Sequence, residues 1–147
     1  MLRVVLDTNV IVSGVIADQG VPFQILKSWE KGELVVIVSE PILQEVDQVL
    51  RYPRIKDKRH LTERDIRNVL RSLRRNGLST PAETGIEAIP EDPEDNKFII
   101  AAVEGEADYI VSGNSHLRDL KSYRGIKIVS PSEFVWILNP KDERRRD

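Results

Sequence analysis

Three acidic side chains lie where they could share a metal ion. Asp7 directly follows the largely apolar run Leu2–Leu6, and Asp95 opens a second apolar segment. Glu45 lies early in a segment with helical spacing of its apolar residues. Buried carboxylates that are brought together repel one another, and a hard divalent cation removes that cost. The chain has two histidines and no cysteine, so oxygen ligands and Mg²⁺ or Mn²⁺ are expected. The reaction that fits is metal-assisted hydrolysis of a phosphodiester.

The elements that must position these acids are alternating strands and helices. Short apolar runs predict strands at four places, with helical patterns between them: 4–6, 34–38, 109–111 and 127–129. This alternation predicts an α/β fold, a three-layer α/β/α sandwich around a central parallel sheet of four to five strands. We expect one domain over residues 1–140, followed by a charged, mobile tail over residues 141–147.

The edge where parallel strands end and helices begin is the predicted site. Asp7, Glu45 and Asp95 can converge there, and Asn114, just past the third predicted strand, would join them. Helical periodicity does not choose between Glu45 and Asp47, because both flank the buried face of their helix.

Helix capping offers a second explanation for two of the acids. Asp92 can cap a helix that has Pro93 at its first position and Asp95 at its third, and both acids would then stabilise the helix start.

The charge of the chain is unevenly distributed. The segment from Arg51 to Arg75 carries a net charge of +7, and the rest of the chain carries −9. Within it, a predicted helix has four arginines on the side opposite its apolar stripe, namely Arg64, Arg67, Arg71 and Arg75. This layout is compatible with a polyanionic partner, although charged helices are also commonly just solvated.

The rest of the composition indicates where in the cell the protein is expected. No stretch reaches the roughly 20 apolar residues that span a bilayer, and the first predicted strand leaves no room for a signal peptide. The absence of cysteine fits a reducing interior, so we expect a cytoplasmic protein with no membrane partner. His60 and His116 are isolated in the sequence and are interpreted as surface residues.

Four segments resemble the motifs of PIN-domain nucleases, in the order and spacing of that family. They are Val5 to Val10 (VLDTNV), Ser39 to Val46 (SEPILQEV), Asp92 to Phe98 (DPEDNKF) and Ala107 to Asn114 (ADYIVSGN). The branch that the chain resembles most closely holds toxins of toxin–antitoxin systems.

The resemblance implies a Mg²⁺- or Mn²⁺-dependent ribonuclease whose acidic cluster is Asp7, Glu45 and Asp95. It thereby favours Glu45 over Asp47. Ser112 matches the hydroxyl residue of the family, and Asn9 matches its polar residue near the first aspartate. With RNA as the substrate, the arginine-rich helix would steer the RNA backbone toward the acids. The resemblance also implies a cognate antitoxin and a homodimer as partners.

One position departs from the family pattern. Asn114 stands where the fourth motif commonly has an aspartate. Its amide oxygen could still bind a metal or orient a metal-bound water, but one negative charge is lost, which Asp92 or Asp108 could replace. The departure supports an alternative, a PIN-like module that binds RNA or protein without cutting. A phosphatase with Asp7 as nucleophile fits less well, because Asn9 stands where such enzymes want a second acid.

Overall fold

The computed structural model describes residues 1–140 and confirms the α/β class. A six-stranded sheet has the strand order β3-β2-β1-β4-β6-β5. The strands are β1 (Arg3–Leu6), β2 (Val35–Val38), β3 (Leu78–Ser79), β4 (Tyr109–Val111), β5 (Ser122–Tyr123) and β6 (Ile126–Val129). All neighbouring strands are parallel except β5 and β6. The predicted tail, residues 141–147, lies outside the described residues.

The strand count exceeds the predicted four to five because of β5. This two-residue strand pairs with β6 through a two-residue turn of Arg124 and Gly125, whose φ angles are 49° and 84°. Positive φ at both central residues is the hairpin geometry that normally selects Asn-Gly or Asp-Gly. An arginine in the first position gives no such signal, and two residues are too few for a strand pattern.

The core is built around β1. Val4, Val5 and Leu6 are at most 1% exposed, because β1 pairs with β2 on one side and β4 on the other, with helices covering both faces. A strand in this position must be apolar throughout. A side chain that directly follows it is therefore held at the centre of the sheet edge.

The helices in the described part of the chain lie between and after the strands, in agreement with the predicted alternation. They are α1 (Thr8–Ile16), α2 (Val21–Glu30), α3 (Glu40–Leu50), α4 (Pro53–Lys56), α5 (Glu63–Asn76), α6 (Asn96–Glu104), α7 (Ser115–Leu120) and α8 (Pro131–Leu138). Right-handed crossovers place α1 to α5 on one face of the sheet and α6 and α7 on the other. None of these helices, across residues 1–140, has the length and apolar character needed to cross a membrane.

Polar residues follow the strands and begin the helices at one edge, which we call the carboxyl edge. The Asp7 and Ser130 side chains cap α1 and α8. Ser39 holds the cap position of α3, but its side chain makes no capping hydrogen bond. The prediction that Asp92 caps an α-helix is wrong, because its side chain makes no capping hydrogen bond and the chain after it first forms a 3₁₀ turn, Pro93–Asp95.

The α5 helix returns to the carboxyl edge. Its start forms a capping box between Thr62 and Asp65, which is recognisable in the sequence as a threonine followed three residues later by an acid. It lies antiparallel to α3, since Arg51 pairs with Glu63 near one end. At the other end, Glu40 at the start of α3 pairs with Arg74 at 3.0 Å. The basic end of α5 therefore lies at the same edge as the start of α3.

Candidate metal centre

Asp7 is fixed by the end of β1. Its backbone N–H donates to the Val111 carbonyl at 3.0 Å, which continues the pairing of β1 with β4. Its Oδ1 accepts the Val10 N–H at 2.8 Å, and its Oδ2 accepts the Ser112 hydroxyl. The side chain is only 4% exposed. Two neighbouring elements therefore orient one buried carboxylate at the carboxyl edge.

The electrostatics of Asp7 oppose its charged form. Burial raises the pKa of Asp7 above its ordinary value. Hydrogen bonds from Ser112 and from two backbone N–H groups act in the opposite direction, and the nearby Glu45 carboxylate raises the pKa further. A cation beside Asp7 would relieve this cost.

Glu45 is on the side of α3 that faces the site. Its Oε2 accepts a hydrogen bond from Lys97 Nζ at 2.5 Å, and its side chain is 29% exposed. Asp47, the alternative that periodicity left open, pairs with Arg51 at 3.0 Å. The structure therefore places Glu45, and not Asp47, beside Asp7.

Lys97 supplies the positive charge that this part of the site holds. Its side chain is only 11% exposed, and its Nζ also donates to the Glu94 carbonyl at 2.9 Å. The Phe98 ring lies 5.2 Å from Nζ. This lysine is a built-in counterion for Glu45, and it also lowers the pKa of Asp95.

The surroundings of Asp95 strongly disfavour its charged form. Asp95 is 8% exposed, and its Oδ2 has no hydrogen-bond partner. Burial, followed by the negative charge of Asp92, raises the pKa of Asp95 to about 6, and Glu45 contributes in the same direction. A buried, unpaired carboxylate oxygen costs folding free energy unless a ligand satisfies it.

The three predicted acids are thus gathered at one edge. Glu45 raises the pKa of both Asp7 and Asp95, so all three share one electrostatic environment. The buried side-chain oxygens that lack a partner among residues 1–140 are Thr8 Oγ1, Ser39 Oγ and Asp95 Oδ2. Each belongs to the carboxyl edge. Hard oxygen donors, one of them an unpaired carboxylate oxygen, fit a divalent cation such as Mg²⁺ or Mn²⁺.

Asn114 has a different environment from the acids. Its Oδ1 accepts the N–H groups of His116 and Leu117 at 2.8 and 3.3 Å, which caps α7. Its own N–H donates to Ser112 Oγ at 2.9 Å. Asn114 is thereby connected to Asp7 through Ser112. Asn9 is exposed on the first turn of α1.

The two acids that could replace the lost charge lie at opposite edges. Asp108 Oδ2 accepts the Arg3 N–H at 2.8 Å, before β1 and β4 begin their pairing, so it cannot reach the site. Asp92 does lie beside Asp95, and its Oδ2 is 3.8 Å from His116 Nδ1. His116 is a surface residue, as predicted, but it lies beside Asp92.

Sequence reasoning missed two side chains of the site, Lys97 and His116. A signal for Lys97 existed, because it is a lone cation at the start of the apolar segment that continues through Phe98 to Val103. His116 gave no local signal, since Asp92 is 24 positions away in the sequence.

The predicted arginine surface is present on α5. Arg64, Arg67, Arg71 and Arg75 are exposed, and within residues 1–140 none of them forms an ion pair. Arg74 differs, because it donates two hydrogen bonds to the Glu40 carboxylate. A shallow depression of about 450 Å³ runs between Arg67, Leu70, Arg71, Arg74 and Arg75.

Comparison with known proteins matches this architecture. A family model described as PIN domain matches residues 3–116. A protein of Methanocaldococcus jannaschii, named only as uncharacterized, is 30% identical over 142 residues. The match covers 91% of this chain and 90% of that protein.

The raised pKa of Asp95 predicts a pH-dependent stability. Above pH 6 the charged carboxylate penalises the folded state, and the penalty disappears as the pH falls toward the ordinary value of 3.8. Asp95→Asn should therefore stabilise the EDTA-treated protein at pH 7.5 by on the order of 2 kcal/mol. The gain should shrink toward pH 5, as measured by thermal unfolding. The exposed variant Asp18→Asn is the control, and an equal gain at both pH values would contradict the prediction.

The ion pair between Lys97 and Glu45 predicts that removal of Lys97 changes how strongly Mn²⁺ stabilises the protein. Lys97→Met keeps most of the packing but leaves Glu45 unpaired, so the metal-free protein should lose on the order of 2 kcal/mol. Added Mn²⁺ should raise the melting temperature of this variant more than that of the native chain, because Glu45 is then free to bind it.

Lys27→Met is a matched control for this experiment. Lys27 also pairs with a glutamate, Glu30 at 3.1 Å, and lies 5.3 Å from the Phe23 ring, but it is exposed. Neither its metal-free stability nor its response to Mn²⁺ should change appreciably. Identical behaviour of the two variants would argue against Lys97 as a counterion of the site.

Proposed function

Because the chain belongs to the PIN-domain family, we propose that it is a metal-dependent ribonuclease that hydrolyses RNA phosphodiester bonds at its carboxyl edge. The observation that carries the proposal is the gathering of Asp7, Glu45 and Asp95, in which burial and the charge of Glu45 both raise the pKa of the two aspartates. Such an arrangement destabilises the folded protein. It is therefore expected at sites where the binding of a cation offsets this cost in free energy.

The three carboxylates would hold Mg²⁺ or Mn²⁺. When bound, the cation supplies a water of lowered pKa and positive charge beside the phosphate. The protein residues orient the ligands: the Val10 N–H and the Ser112 hydroxyl hold the two oxygens of Asp7. The N-terminus of α1, which Asp7 caps, adds a favourable potential for the negative phosphate.

The proposal predicts loss of cleavage when a ligand charge is removed. Asp7→Asn, Glu45→Gln and Asp95→Asn should each lower the rate by at least about 100-fold, which corresponds to about 3 kcal/mol of transition-state stabilisation. The measurement is cleavage of a fluorescently labelled, unstructured RNA with Mn²⁺, and EDTA should abolish it.

Asp47→Asn is the matched control, because Asp47 is on the same helix as Glu45 but pairs with Arg51. It should retain native activity. Cleavage that persists in EDTA, or a Glu45→Gln variant as active as Asp47→Asn, would refute the assignment of these ligands.

A second candidate function rests on Asn114. Its amide oxygen caps α7, and the position supplies no charge to a metal. This favours a module that binds RNA or protein without cutting it. RNA binding by the native chain, with no cleavage in Mn²⁺ or Mg²⁺, would support this alternative.

The arginine surface on α5 supports RNA as the substrate. Among residues 1–140, no ion pair within 4.0 Å involves Arg64, Arg67, Arg71 or Arg75, so their charge is available to phosphates. The basic end of α5 lies at the carboxyl edge, as its pairing with Glu40 requires. An RNA strand could then contact α5 while one phosphate reaches the acids.

Charge reversal should test this path. In the Asp7→Asn background, which keeps the RNA intact, the double change Arg67→Glu and Arg71→Glu should weaken RNA binding at least about tenfold. It should also lower the slope of log affinity against log salt by about 2, as measured by fluorescence anisotropy. Lys31→Glu with Lys127→Glu, at two exposed sites elsewhere, is the control. Unchanged affinity and slope in the arginine variant would exclude α5 from the interface.

The finer parts of the functional prediction remain part of this proposal. They are the role as the toxin of a toxin–antitoxin pair, the cognate antitoxin, the homodimer and the cytoplasmic location. The resemblance of the four motifs to the family supports the toxin role, the antitoxin and the homodimer, whereas the absence of cysteine supports the cytoplasmic location. The geometry of residues 1–140 supports the nuclease site itself.

A further inference from the structure

A second set of potential ligands lies next to the proposed catalytic acids. Asp92, Asp95 and His116 each offer one ligand atom, and these atoms lie within 4.8 Å of one another. Two donors on one Mn²⁺ are separated by roughly 3 to 4.3 Å, given metal–ligand bonds of about 2.1 Å. The 3.8 Å between Asp92 Oδ2 and His116 Nδ1 falls in this range.

One oxygen of this group, Asp95 Oδ2, has no partner within residues 1–140 and is therefore available to a ligand. Asp95 is more than nine-tenths buried, and its Oδ2 has no hydrogen-bond partner. Its neighbours lack strong partners as well. Asp92 makes no capping hydrogen bond, and its distance to His116 is too long for a hydrogen bond. The side chain of Asp92 does lie within hydrogen-bond reach of Asp95, but two carboxylates can share a hydrogen bond only if one of them is protonated.

We propose that Asp92, Asp95 and His116 form a second divalent-cation position, which adjoins the Asp7–Glu45–Asp95 cluster and shares Asp95 with it. Asp92 and His116 thereby supply the ligands that Asn114 does not. The catalytic meaning of this position rests on the proposed nuclease function, but cation binding does not.

The donor set determines which cation is preferred. Carboxylates alone suit Mg²⁺, whereas an imidazole nitrogen favours Mn²⁺ over Mg²⁺. His116 is 47% exposed and lines a pocket of about 360 Å³, so a hydrated cation can reach it. We therefore expect the chain to bind two Mn²⁺ ions and to discriminate against Mg²⁺ at the second position.

Asn114 is a positioning residue in this arrangement. By accepting the backbone N–H of His116 at 2.8 Å, it fixes the first turn of α7, and it is tied to Asp7 through Ser112. The amide thus holds His116 in register with the acids.

The two histidines of the chain allow a direct test with Mn²⁺ alone. His116 is at the proposed position, and His60 is exposed on the connector between α4 and α5. The test uses Asp7→Asn, whose first position lacks a ligand. In NMR spectra of its imidazole groups at pH 7.5, substoichiometric Mn²⁺ should broaden the His116 signals and leave those of His60 sharp. Equal broadening of both, or of neither, would overturn the proposal.

Binding measurements extend the test to variants. Counting free Mn²⁺ by its paramagnetic resonance signal should give two sites in the native chain. His116→Ala should weaken one of them at least tenfold, and the control His60→Ala should leave both unchanged. His116→Asp should restore Mn²⁺ binding at the second site, because a carboxylate replaces the imidazole. It should also reduce the ratio of the Mn²⁺ affinity to the Mg²⁺ affinity at that site. Native binding by His116→Ala would overturn the proposal.

Failure of this inference is distinguishable from failure of the proposed function. One Mn²⁺ site, lost in Asp7→Asn, together with RNA cleavage would keep the nuclease and reject the second position. Two sites, one of them sensitive to His116→Ala, without RNA cleavage would confirm the second position and reject the nuclease.

Discussion

The burial of carboxylates close to one another at the carboxyl edge is the constraint on which the rest of the structure depends. Asp7 and Asp95 are buried there with raised pKa values, and Glu45 adds to the cost of both charges. Folding brings these groups together although each prefers water and distance from the others. The surrounding elements contribute hydrogen bonds and a positive charge that reduce the free-energy cost of burying these carboxylates.

Three kinds of group share that task. Backbone N–H donors and the Ser112 hydroxyl hold Asp7 at the start of α1, where the helix dipole also favours a negative charge. Lys97 neutralises Glu45 from the start of α6. Asp95 Oδ2 accepts no hydrogen bond from residues 1–140, and Lys97 only partly offsets the effects that raise the pKa of Asp95. Asp95 is the carboxylate that both proposed cation positions share.

The fold also separates the two signs of charge. The acids lie at strand ends and helix starts, where Asp7 and Asp95 are buried, whereas the arginines are exposed on α5. Because α5 lies antiparallel to α3, its basic end returns to the edge where the acids lie. Under the proposed function, the exposed arginines would attract a polyanion over a wide surface, and the smaller desolvated acidic site would hold the cation.

Local patterns along the chain were sufficient to predict the fold class, the position of Asp7 at the end of β1 and the capping box of α5. Neighbouring residues determine which strands are buried and where helices start. Only tertiary packing distinguished Glu45 from Asp47, placed Asp108 at the opposite edge and brought His116 beside Asp92. These outcomes depend on how α3, α6 and α7 cross the sheet. Periodicity specifies which face of a helix is buried, but only the packed structure specifies what that face meets.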